Sequence, residues 1–476
     1  MRNLESDSSI PAPEISAERM PTALAHRPWV FATISFALMM MAIDATIVAT
    51  ALHTLQHDLH ASINWAGWTI TAYSFGFLLM LPVTGKLSEQ YGRRRVFLAS
   101  VTAFTVASLL CGLAGNIYQL IALRAVQAAG GAGFTPSATG IVVDYFGKER
   151  DRAVSLFGSI FPIGAVIGPI FGGFFVTYWS WRGIFFVNVP IGIAVIALSL
   201  RFIPKDRPEI LRARTRRDVI GMALLGVGLV GGMLAVSYLG ERHAQLQLAA
   251  FFVPGAIAVL ALWGFLRHIR RTADPFIAPH MIYGRGFGAV NAINALYGGV
   301  RSGAIVLVPL YATARYGIDA LRSGTLLVAQ GVATFAFSII AALLIRRTGY
   351  RLPIYVCGVA VAIGIVLFAL PPPAGIAPYT WLAATAFLVG AGGGGLNPAS
   401  RNAGLQLEPE HASTLAALRT MALQMGTITT ISLATAWLTG RADPGTAQAW
   451  VFVAVAAALV AGLPLVARIP DHRGAW

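Results

Sequence analysis

Charge is scarce in this chain: Asp, Glu, Lys and Arg make up 12% of its 476 residues, against 56% hydrophobic ones. A water-soluble globule of this length needs far more charge on its surface, so that class is excluded. There are two cysteines, Cys111 and Cys357, both in apolar stretches, and neither a disulfide framework nor a metal site is indicated. Residues 1–28 lack the short apolar core and small-residue cleavage site of a signal peptide, and read as a mobile tail before an uncleaved anchor. The glycine run Gly392 to Gly395 has no lysine and no strand-to-helix setting, so ATP coupling is not expected. His53, His57 and His60 have a spacing that fits metal binding or pH sensing, and equally a solvated helix face. No nucleophile, base and orienter stand at readable spacing, and no enzyme and no cofactor are expected.

What is present is a series of long apolar stretches. A bilayer core of about 30 Å needs roughly 20 apolar residues per helix. Fourteen such spans fit: 30–52, 64–84, 96–114, 118–140, 153–178, 183–202, 219–239, 247–267, 287–312, 323–345, 352–370, 378–398, 413–438 and 447–467. The expectation is an all-α polytopic membrane protein.

The net charge of +15 is explained by where the basic residues fall. Of the 35 Lys and Arg, 27 lie in the tails, in alternate loops or at the span ends beside them (Arg201 and Arg267), five in the opposite loops and three deeper inside spans. This excess places both termini in the cytoplasm, and makes the basic balance a topology signal with no nucleic-acid partner implied.

A duplication shows in the loops. Leu87, Gly92 and Arg94 match Leu344, Gly349 and Arg351 at a constant offset of 257. Two six-helix halves follow, 29–203 and 287–468, with 204–286 as linker loops plus an inserted helix pair and 469–476 as a cytoplasmic tail. A substrate site is expected near the midplane between the halves.

Five segments then share a resemblance. The loop Gly85 to Arg95 is similar to GxLaDrxGrr, with Glu89 where Asp is usual; Asp44 to Leu52 resembles LDxTIVNVAL, with Ala49 and Thr50 departing from it. Arg124, Gln127 and Gly130 resemble RxxQGxG, with Ala128 replacing a Gly. Gly164, Gly168, Pro169, Gly172 and Gly173 fit GxxxGPxxGG, and Trp181 to Gly192 is similar to WRWIFxINxPIG. Together they resemble the major facilitator superfamily and, within it, the fourteen-helix drug/proton antiporters. The resemblance implies a multidrug-type exporter in the inner (cytoplasmic) membrane, a secondary active transporter driven by the proton gradient and working as a monomer on a small organic substrate. A same-fold uptake symporter and a non-transporting receptor are the alternatives.

The residues have physical readings of their own. Gly164, Gly168 and Gly172 make one bare helical stripe for close approach, while Pro169 bends the helix; ordinary small-residue packing has the same spacing. Glu89, Arg93 and Asp144 form an acid, base, acid cluster that fits an inner-face latch, with Gly85, Gly92 and Arg94 in the same loop; basic anchoring alone also accounts for its arginines. Each charge inside a span costs about 2.5–3.5 kcal/mol at mid-helix, so Asp44, Arg124, Arg301 and Arg419 together cost on the order of 10 kcal/mol. Asp44 is the only acid well inside a span and the natural proton carrier, with Arg124 its expected regulator. Asn291, Asn294, Gly298 and Arg301 recur every three or four residues as a polar face, and Arg301 lies 257 positions after Asp44. Asp44 and Arg301 are therefore expected to face one central cavity, lined also by Gln127, Tyr297 and Arg419. Three cations against one anion tilt that cavity toward neutral, zwitterionic or anionic amphiphiles, with Trp65, Trp68, Tyr73 and Tyr297 available for stacking.

Overall fold

The computed structural model describes residues 27–61, 63–206, 218–238, 244–273, 275–318, 320–438 and 442–471. The N-terminal tail up to residue 26, the basic loop 207–217 and the last five residues lie outside it, as do the side chains of His53 and Pro169.

Among the described residues all regular structure is helical. The first group is α1 (Arg27–Asp58), α2 (Ile63–Tyr91), α3 (Arg93–Gly112), α4 (Ile117–Gly131), α5 (Phe134–Phe146), α6 (Arg150–Tyr178) and α7 (Asn188–Phe202). Next come α8 (Val219–Tyr238) and α9 (Ala244–Arg271). The last group is α10 (Phe287–Tyr316), α11 (Ala320–Thr348), α12 (Arg351–Ala369), α13 (Pro378–Leu407), α14 (Ala412–Leu438) and α15 (Pro444–Gly462). Nine helical segments among the described residues are long and apolar enough to cross a membrane. α4, at 15 residues, is too short alone; it continues through Ala132 and Gly133 into α5.

Local signals start and stop these helices. Asn116 caps α4 by accepting the Gln119 N–H at 2.8 Å, and Asp443 caps α15 through the Thr446 N–H at 3.0 Å, with Pro444 in its first turn. Gly317 ends α10 in the left-handed conformation at φ 64°. α10 is not regular throughout: residues Asn294–Val300 form a π-helical segment.

Packing sorts the helices into two bundles. α1 packs on α6 and α2 on α4 in the first, while α11 packs on α13 and α12 on α13 and α15 in the second. α6 meets α11, and α2 and α5 meet α14, so the halves touch through these helices. α8 and α9 pack chiefly on each other, with α8 against α2 and α14. Outward-facing large apolar side chains, including Phe174, Trp263, Val356 and Val460, give the bundle a greasy exterior of the kind lipid solvates.

The 257-residue repeat has a structural counterpart. Gly92, at φ 101°, lets the chain turn into α3, and the Asp206 carboxylate accepts the Arg94 and Arg95 N–H groups at 2.9 and 3.2 Å. In the second half Gly349, at φ 68°, precedes α12, and Asp471 accepts the Tyr350 and Arg351 N–H groups at 3.0 and 3.2 Å. Each carboxylate satisfies otherwise orphaned donors at a helix N-terminus, and each lies just after the last helix of its own half.

Candidate functional site

The buried polar centre of the first half is built on Asp44 of α1, which is wholly buried. One carboxylate oxygen accepts Arg124 Nη1 of α4 at 2.8 Å; the other accepts Gln127 Nε2 at 3.0 Å and Asn188 Nδ2 of α7 at 2.9 Å. Ser108 Oγ of α3 accepts from the same two amides, at 2.5 and 3.0 Å. The Arg124 guanidinium also donates to Gln127 Oε1 at 2.6 Å and lies 4.2 Å from the centre of the Tyr73 ring. α1, α4 and α7 thus meet at one carboxylate, and α3 is joined to them through Ser108. Protonation of Asp44 removes the anion on which three donors are aimed, so a single proton bears on the packing of α1, α4 and α7.

Asp44 and Arg124 come together, and Gln127, expected to line the central cavity, instead joins them in this buried network. Asn188 and Ser108 complete the site without having been assigned a role; Asn188 stands inside the quoted segment Trp181 to Gly192, whereas nothing in the sequence around Ser108 marks it.

The glycine stripe packs directly on α1. A Cβ on Gly164, Gly168 or Gly172 meets Ala42, Thr46 and Thr50 respectively, residues on either side of Asp44. Thr46 Oγ1 donates to the Gly164 carbonyl at 3.4 Å, and Gly173 has nothing within 4 Å of its Cβ position.

Asp44 and Arg301, expected to face one central cavity, are each hydrogen-bonded within their own half. The donors to Asp44 named above belong to its own half, and Arg301 Nε donates to the Tyr297 carbonyl at 2.9 Å with Nη2 3.4 Å from Ser302 Oγ. Gly393 of α13 makes room for that guanidinium, since a Cβ there meets its Nη1. The π-helical segment Asn294–Val300 widens the turn ahead of Arg301, so the regular three-to-four-residue recurrence does not hold there. Tyr297 sits in the core of the second half, its hydroxyl donating to the Leu459 carbonyl at 2.5 Å. Gly298 packs against Leu423 of α14.

A cleft does open between the halves. Thr135 and Thr139 of α5 line one side; Asn291 and Asn294 of α10, Arg401 of α13 and Arg419 of α14 line the other. Asn291 Nδ2 is tied to the Met281 and Ile282 carbonyls at 3.0 and 3.1 Å, whereas Arg419 Nη2 donates to Asn397 Oδ1 at 2.5 Å. Of the expected aromatics, Tyr73 faces Arg124, while Trp65 is exposed and edge-on to Tyr118.

Below this cleft the helix ends are tied together. Arg93 pairs with Asp144 at 2.8 Å and also donates to the Gly140 carbonyl, and its Nη2 reaches the Glu410 carbonyl at 3.4 Å. Glu89 accepts the Thr414 N–H at 2.9 Å, and Gly85 lies against Ala417 and Ser413. Arg150 donates to Gln406 at 2.9 Å, and Asn402 to the Asp151 carbonyl at 3.1 Å. Arg94 stays within its half, bonded to the Leu200 carbonyl at 2.7 Å. Among the described residues no group of His, Cys, Asp or Glu has the makings of a metal site.

Two helical bundles around a polar cleft, with a charge network buried in one of them, define a polytopic membrane protein of two packed halves. The Major Facilitator Superfamily model matches residues 34–279, and the chain belongs to that family. It is 32% identical over 340 residues to multidrug resistance protein 3 of Bacillus subtilis (strain 168), covering 71% of this chain and 65% of that protein, so the match spans less than two thirds of that relative's length. Its fold is similar to the human organic anion transporter MFSD10, with a TM-score of 0.64 at 15% identity over 94% of this chain and 100% of that one. It is likewise similar to the proton:xylose symporter XylE, with a TM-score of 0.65 at 13% identity over 95% and 98%.

Proposed function

We propose that this protein is a proton-coupled exporter that expels small organic amphiphiles across the cytoplasmic membrane by alternating access. In this reading it is a monomer with fourteen crossings, both termini in the cytoplasm and the proton gradient as its only energy source. α4 and α5 together make the fourth crossing, and 204–286 carries an inserted pair between the halves 29–203 and 287–468. The Asp44 network carries the reading: a single carboxylate, wholly buried, couples three helices through Arg124, Gln127 and Asn188. α1 is also the helix on which the Gly164, Gly168 and Gly172 stripe rests, which links the proton site to the segment that resembles antiporters. The tied helix ends are then the inner gate in its closed position, and Asp44 protonation together with substrate release biases the switch.

The test is transport by the full chain in proteoliposomes under an imposed pH gradient. Wild type is expected to expel a lipophilic substrate in exchange for protons, and Asp44→Asn to lose gradient-driven transport while remaining folded. Undiminished pumping by Asp44→Asn removes the reading. The likeness to a proton:xylose symporter keeps uptake as the second reading; protons moving in the same direction as the substrate would establish it.

A further inference from the structure

We propose that the cleft between the halves is an anion site that holds the carboxylate of an organic acid, through Arg401 and Arg419; the inference rests on the exporter reading and specifies its cargo. The acids between residues 287 and 470 are Asp319, Glu408, Glu410 and Asp443, all outside the expected spans. The second half therefore has no anion of its own at the depth of its buried arginines. Arg124 in the first half has Asp44; Arg401 and Arg419 have no such counterpart among the described residues.

Arg401 is 7% exposed, and its described bond is from Nη1 to the Val154 carbonyl at 3.0 Å. Arg419 Nη2 donates to Asn397, and its buried Nε has no partner. Arg401 and Arg419 line the same cleft with like charges, so the pair is mutually repulsive. Two cations removed from water without an anion are held at a cost that a negative ligand between them offsets. A guanidinium offers two parallel N–H groups to a carboxylate, and the buried, unpartnered hydroxyl of Thr135 adds a further donor on the facing half. Phe287, Val290, Leu405 and Leu415 line the same cleft, and this apolar wall suits the hydrocarbon body of an organic acid better than a bare inorganic ion. Because the walls come from both halves, the ligand bridges the surfaces that alternating access separates.

The experiment uses the full chain in lipid nanodiscs, titrated calorimetrically with 1-naphthoate, its neutral isostere naphthalene-1-carboxamide, sodium chloride and inorganic phosphate. Naphthoate is expected to bind at least about tenfold tighter than the carboxamide. Arg401→Gln is expected to remove that preference, and Arg401→Lys to retain part of it. Equal affinity for acid and amide, or an unchanged preference in a folded Arg401→Gln, overturns the proposal. Chloride or phosphate binding as tightly as naphthoate overturns it too, by making this a counter-ion site. Should Arg401→Gln fail to fold, Thr135→Val and Arg419→Lys provide the same comparison, each expected to weaken naphthoate and spare the carboxamide. In proteoliposomes, naphthoate binding without proton-driven efflux sinks the exporter reading alone; efflux of neutral compounds with no naphthoate binding sinks the anion site alone.

Discussion

Glu89, at the end of α2, accepts the backbone N–H of Thr414 in the first turn of α14 at 2.9 Å, so the carboxylate of one half caps a helix of the other. Thr414 N–H is one of the donors a helix leaves unpaired at its start, and the positive end of α14 favours the charge. Glu89→Ala leaves that donor buried and unmatched, at a cost of about 1–3 kcal/mol in the closed state. Thermal unfolding of the variant is expected to fall accordingly, with Glu89→Gln between it and wild type.

The same junction is testable by cross-linking. Ser88 Oγ and Ser413 Oγ are 3.4 Å apart across the halves. In a background with Cys111 and Cys357 replaced, Ser88→Cys with Ser413→Cys is expected to form a disulfide that arrests transport, and reduction to restore it. Free turnover of the oxidised protein would mean that this contact is not part of the cycle.

At the Asp44 network the relevant comparison is a double-mutant cycle. Arg124→Gln alone strands a buried carboxylate and is expected to cost about 3–5 kcal/mol. Adding Asp44→Asn is expected to recover much of that loss, since neutral amides then face one another. If the two losses simply add, the pair contributes no coupling.

The glycine stripe makes a sharper contrast. Gly168→Val drives side-chain atoms into Thr46 and the Ile43 carbonyl and is expected to abolish folded protein, whereas Gly173→Ala, with open space at its Cβ, is expected to behave as wild type. Size-exclusion profiles and transport rates of the two distinguish close packing from a mere preference for small residues.

Asp218, just before α8, supplies a pH dependence. Burial raises its pKa, but the N–H groups of Phe276 and Gly221 and the imidazole of His268 lower it further, leaving the net value below the usual carboxylate range. A depressed folded pKa means that its stabilisation is complete above the unfolded value of about 3.9 and is lost as pH falls through the folded one. Asp218→Asn is therefore expected to destabilise the protein at neutral pH, with the difference from wild type shrinking on acidification below about pH 4.

Much of the first half was legible because its functional residues sit in recognisable segments: Asp44, Arg124 and Gln127 form the centre of one network. Ser108 was not, since one serine on an apolar helix has no local signature. The second half was read less well, for two physical reasons. The π-helical segment of α10 breaks the regular period on which the face from Asn291 to Arg301 was read. α13 also runs on to Leu407, past the expected span end at 398, which turns Arg401 from a loop cation into a buried one. Asp206 and Asp471, which bond to positions more than a hundred residues away, had no sequence signal at all.

Those two carboxylates fasten the start of α3 to the end of α7, and the start of α12 to the segment that follows α15, always inside one bundle. Each bundle is thereby stapled shut on itself, so the alternating access proposed above would leave both staples fastened. Neither staple reaches α8 or α9, which ride alongside as an outrigger.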